Sequence, residues 1–145
     1  MEILTNLHSY MAYAVLFILF VATSNALMGW LGNREFKFEK DLRVSLFALI
    51  LSHLQLVIGL IVYFVSSNGF NAIQELGMGG MNAASRLLAL EHPLTNILAI
   101  ALITVGWSRH KKKTTDKAKF KSIAIFYLLG LVLILSRIPW GQWFG

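Results

Sequence analysis

His8 and His92 are the residues of this chain best placed to do chemistry together, each about one turn into an apolar segment, the first and the third of four. At 1.5 Å of rise per residue, both imidazoles stand roughly 6 to 8 Å below one membrane boundary, at matching depth. Two imidazoles facing each other at one height are what a haem iron takes as axial ligands. A hydrogen-bonded histidine at the headgroup level is the plainer role for such a position. Ionisable side chains inside spans are, however, functional by default.

The elements that must carry them follow from composition. The 145 residues are 57% hydrophobic, with a mean hydropathy of +0.64, too apolar for a soluble domain of this length. Four runs, at 4–31, 44–65, 87–107 and 122–138, each approach the ~20 residues that cover a hydrocarbon layer of ~30 Å. No run alternates as a barrel strand does. The first lacks a basic leader and is too long for a signal-peptide core, so it is expected to be retained. The fold class is therefore all-α, one four-helix transmembrane bundle over 1–145, with short connections making sequential helices antiparallel neighbours.

Orientation comes from the 13 Lys and Arg. Arg34, Lys37, Lys40 and Arg43 occupy the first connection, and Arg109, Lys111, Lys112, Lys113, Lys117, Lys119 and Lys121 the third. Only Arg86 and Arg137 fall on the opposite side. By the positive-inside rule both termini and the middle segment 66–85 face outward. The net charge of +6 then reflects topology and anionic lipid headgroups, and nucleic acid is not an expected partner. The middle segment, with Gly69, Gly77, Gly79 and Gly80, reads as a connector or as a short re-entrant or interfacial helix.

With no cysteine in the chain, covalent haem attachment, thiolate metal sites and disulfides are excluded. A haem b held non-covalently remains open. The His8 stripe continues through Ala12, Val15, Leu19, Ala22 and Ala26, and the His92 stripe through Asn96, Ala99 and Gly106. Such small residues permit close helix packing, which turns both histidines toward the bundle interior. Gly59 lies at nearly the same level on the second helix and lets a flat ring approach the backbone. Ser52, Gln55, Gly59 and Ser66 form one polar and small stripe there.

Arg137 and Arg86 are candidates to pair with haem propionates at the wet edge, since a guanidinium binds a carboxylate bidentately. Interfacial anchoring is their alternative role, one for which Trp140 and Trp143 are also suited. Glu91 is placed to orient a ligand on an adjacent helix or to pair with Arg86 or Arg137. Pro93 either kinks the third helix by freeing the Ala89 carbonyl or marks its start. His53, near the bilayer centre, points about 160° away from Gln55 on a helical wheel. It meets a neighbouring helix, marks a second site for quinone or proton handling, or contacts a partner subunit. His110, in a basic connection, is expected to be solvated.

The order of His8, Gln55-x-x-x-Gly59 and His92 on three successive helices resembles one half of the haem A synthase family, in which paired histidines bind haem near the outer face. The chain is also similar to short bacterial membrane proteins labelled cytochrome b. That likeness is carried by His8-Ser-x-x-Ala12-Tyr13, Ser-His53-Leu-Gln-Leu-x-Ile-Gly59, Leu90-Glu91-His92-Pro93-Leu94 and Ser136-Arg137-Ile138-Pro139-Trp140, and spans nearly the whole chain. The resemblance implies that His8 and His92 are haem ligands in a multi-pass protein of the bacterial cytoplasmic membrane. The synthase has a glutamate one turn before its first ligand, where this chain has Leu4 and Thr5.

Three classes of function follow. The first is electron transfer by haem, with quinol, the reduced form of a quinone, as a candidate donor and lipid as surroundings. The second is a haem-free accessory or assembly subunit that meets other membrane subunits or a second copy of itself. The third is an enzyme that oxidises haem. No nucleotide-binding loop or hydrolase pattern is present in the sequence.

Overall fold

The computed structural model describes residues 2–144, the side chain of Phe144 excepted. Among them no strand occurs, and 4 helices are long and apolar enough to cross a membrane. Helix α1 is Glu2–Leu31. A π-helical turn, Phe38–Leu42, leads into α2, Arg43–Val65. A short α3, Phe70–Leu76, lies in the middle segment. Helix α4 runs Ala83–His110, α5 is Asp116–Ser136, and a last short α6 is Trp140–Phe144.

These bounds depart from the hydropathy runs where polar residues extend an apolar helix. Helix α5 starts six residues earlier than 122 because the Thr115 side chain accepts from the Ala118 N–H and Asp116 sits in the first turn, a favourable end for the helix dipole. Helix α4 starts four residues earlier than 87, where Asn82 and Ser85 form a reciprocal capping box. The α-helical stretch of α4 begins at His92 with Pro93 in its first turn, so the proline stands at the start of that stretch without breaking α4. A π-helical turn over Leu87–Glu91 stands immediately before that stretch, and such a wider turn accommodates a ring that an α-helical turn would meet at the i−4 carbonyl.

The long helices close into a ring, α1 against α2, α2 against α4, α4 against α5 and α5 against α1. Helices α1 and α4 thus stand on opposite corners. The end of the bundle bearing the basic connections, here the loop end, is tightly filled by Leu19, Ala22, Ala48, Ile103, Phe120 and Tyr127. Glycine makes that density possible at Gly106, where a Cβ would lie 2.5 Å from Phe126 Cβ. The Tyr127 hydroxyl is buried across the bundle and donates to the Ser45 carbonyl at 2.7 Å.

The first basic connection is pinned by a buried carboxylate. Asp41 is 1% exposed and accepts from Asn25 Nδ2 at 2.8 Å, Arg34 Nη2 at 3.0 Å and the Lys37 N–H at 2.7 Å. Arg34 also lies 5.3 Å over the Phe120 ring. Its side chain is therefore structural as well as positive, tying α1 to the start of α2. His110 corrects an expectation of solvation. It is 1% exposed, packed between Phe36 and Trp107, with Nδ1 donating to the Trp107 carbonyl. The basic run around it is charged, yet the helix face on which it falls is turned onto the bundle by Phe36.

Candidate functional site

Toward the end that carries both termini the bundle opens. Small and polar side chains replace bulky ones along α1 and α2, so the four helices enclose a cavity of about 450 Å³. On α2 the stripe Ser52, Gln55, Gly59 and Ser66 forms one wall, as the wheel predicts. His8 from α1 and His92 from α4 enter from opposite corners, with ring centroids 6.3 Å apart and planes at 78°. The volume lies within the ~300–1,000 Å³ typical of cofactor and ligand sites.

Each imidazole is held by a different device. His92 Nδ1 stands 2.9 Å from the Arg137 carbonyl oxygen, which can only accept, so Nδ1 carries the proton. Asn96 Nδ2 also lies 3.2 Å from that nitrogen, but its shorter bond, 2.6 Å, goes to the His92 carbonyl. The assignment leaves the lone pair on Nε2, the tautomer that a metal-ligating histidine takes when its other nitrogen donates to a carbonyl.

His8 is set by helix α2. Gln55 Nε2 donates to the His8 backbone carbonyl at 2.7 Å, fixing α1 against α2 at this level. A Cβ at Gly59 would lie 3.0 Å from His8 Cε1. The flat ring for which this glycine makes room is thus the imidazole itself. Two buried polar atoms here have no hydrogen-bond partner, His8 Nδ1 and Gln55 Oε1, one able to donate and the other to accept. They belong to residues already joined through Gln55 Nε2, so little movement is needed for them to satisfy each other.

The arginines are placed differently. Neither guanidinium lines the cavity. Arg86 Nη1 donates to the Met81 carbonyl at 2.9 Å. Arg137 Nε lies 3.7 Å from Glu91 Oε1, with both side chains about half exposed. What Arg137 contributes at the site is its backbone carbonyl, a role that residue type does not encode.

His53 stands apart from this site. It is exposed on the bundle surface, with Nδ1 2.9 Å from the Leu49 carbonyl and Nε2 3.3 Å from Thr104 Oγ1 of α4. Contact with a neighbouring helix, one of the alternatives read from the sequence, is present.

The C-terminal aromatics add a wall that hydropathy alone does not show. Pro139 turns the chain after α5, and Trp143 stacks on Tyr13 with centroids 4.7 Å apart. Trp143 and Gln142 border the cavity mouth. The signal for this in the sequence is Pro139 followed by Trp140-x-x-Trp143, a chain reversal followed by a single apolar turn.

The arrangement can bind a flat, mostly apolar molecule between two imidazoles. Among the described residues no group of three or more His, Cys, Asp or Glu is placed to hold a metal ion by itself, so a metal here would need the rest of its ligands from a bound group. No protein-family model matches the chain, nor does any curated protein or solved structure compared with it.

Proposed function

We propose that this chain is an integral membrane electron-transfer protein that holds haem b without covalent attachment, His8 and His92 serving as its axial ligands. The observation that carries the reading is the 6.3 Å between the two ring centroids across the cavity. Two metal–imidazole bonds of about 2 Å, with about 1.2 Å from each nitrogen to its ring centre, sum to about 6 Å.

The donor set fits the group on three counts. His92 uses Nδ1 on the Arg137 carbonyl, which leaves Nε2 as the nitrogen available to ligate. Gly59 gives the His8 ring its room. The walls between them are largely apolar, with Val15, Leu16, Leu56, Leu60 and Ile100 among them, as a porphyrin face requires. Haem bound there supplies one-electron chemistry. The protein holds and orients the ligands and excludes water from the loop end through the filled core below the cavity. With the basic connections inside, this site lies near the outer face of the membrane.

A reduced-minus-oxidised spectrum of the detergent-purified chain tests the proposal. A low-spin b-type signature that His8→Ala and His92→Ala each abolish or convert is the expected result. No haem in the intact protein after haem-replete expression would refute it and leave a haem-free subunit as the remaining reading.

A further inference from the structure

Next to the mouth of the cavity lies a second pocket of about 310 Å³ with a different chemistry, walled by Ser67, Asn68, Glu75, Asn82, Ser85 and Gln142 among others. Asn68, Leu88 and Gln142 line both spaces, so the polar pocket continues the apolar one toward the terminal end. Asn82 and Ser85 are committed to each other in the capping box of α4. Asn68 and Gln142 are exposed, and the hydrogen bonds they make run from their backbone N–H groups, to Ser66 Oγ and to the Pro139 carbonyl, so their side-chain amides face the two spaces.

We infer that this polar annex receives the carboxylates of the haem, with the amides of Asn68 and Gln142 as hydrogen-bond donors. The inference rests on the haem reading of the main cavity. A flat macrocycle ligated from opposite corners lies across the line joining His8 and His92, so its edges face the two ends of the bundle and the two remaining helices. The loop end offers a carboxylate nothing: Leu19, Ala48, Ile103 and Tyr127 are all 0% exposed, and the Tyr127 hydroxyl already donates to Ser45. A carboxylate left there would be buried without a partner, which is strongly unfavourable. At the terminal end the edge meets Asn68 and Gln142.

The guanidiniums that residue type suggests for this task border neither pocket. Glu75 does line the annex, and its negative charge opposes a second carboxylate in the same space. Amide donors therefore hold the anionic edge against a like charge.

The test compares haemin with haemin dimethyl ester, whose carboxylates are blocked, titrated into the full chain purified in detergent from haem-starved cells. The intact protein should prefer the free acid about tenfold, as one charge-assisted hydrogen bond implies. Asn68→Leu with Gln142→Leu should erase that preference while the low-spin spectrum persists. The closer isosteres, Asn68→Asp with Gln142→Glu, should weaken the free acid alone. Glu75→Gln should strengthen binding of the free acid and leave the ester unchanged. If neither compound yields a low-spin spectrum with the intact chain, the haem reading itself fails. If both bind and the preference survives the paired leucine variant, or is erased by Arg86→Ala or Arg137→Ala instead, the annex assignment is overturned.

Discussion

The Nδ1 nitrogen of His92 donates to the backbone carbonyl of Arg137 at 2.9 Å. The end of α5 therefore sets the tautomer and the ring orientation of a residue on α4. Because the acceptor belongs to the main chain, substitution of Arg137 need not disturb it.

Arg137→Ala should accordingly keep the low-spin ligand signature. The lost side-chain contact is a half-exposed pair with Glu91 at 3.7 Å, worth about 1 kcal/mol or less. Thermal unfolding in detergent should change little. Loss of the low-spin spectrum in this variant would show that the guanidinium, and not the carbonyl, maintains the site.

Gly59 tests the room given to His8. A Cβ 3.0 Å from His8 Cε1 is tighter than ordinary contact, so Gly59→Ala should perturb the ligand spectrum and Gly59→Val should abolish low-spin binding. Far-ultraviolet circular dichroism should remain helical in both. An unchanged spectrum in Gly59→Val would mean that the His8 ring sits elsewhere when the ligand is bound.

His53 supplies the complementary control. It is exposed and bonded to Leu49 and Thr104, away from the cavity wall. His53→Ala should leave the absorption spectrum of the purified protein as it is, whereas His8→Ala or His92→Ala should not. A His53 variant that loses haem would undo the assignment of ligands by helix face.

Stability should depend most on groups at the loop end, remote from the site. Asp41 is buried and accepts from Asn25, Arg34 and the Lys37 N–H. Asp41→Ala strips the buried Asn25 amide of its acceptor, while the partly exposed Arg34 keeps Asn25 Oδ1, and should cost about 1–3 kcal/mol. Tyr127→Phe strips the buried Ser45 carbonyl of its side-chain donor and should cost about 1–3 kcal/mol. Detergent-phase unfolding measures both, and equal midpoints for Asp41→Ala and the intact protein would contradict the structural role of the cluster.

Topology is open to a direct check. With the basic residues concentrated in two connections, a reporter fused after Gly145 should be active outside the cytoplasm. A cytoplasmic C-terminus would move the histidine site to the inner face.

Four spans and the inward stripes of α1, α2 and α4 were legible in the residues themselves. Hydrophobic length requires spanning helices, and a period of 3.6 places His8 with Val15 and Ala22, and Gln55 with Gly59, on single faces. Neighbouring helices settled the rest. Residue type suggested solvent for His110, but Phe36 packs over it and buries it. Likewise the guanidinium of Arg137 drew attention in the sequence, while tertiary contact brought its carbonyl to His92. Periodicity reports direction within one helix and is silent about which backbone atom of a distant helix arrives opposite. The 6.3 Å between His8 and His92 depends on how close α2 and α5 allow opposite corners to approach, a distance set by packing and not by the spacing of residues along the chain.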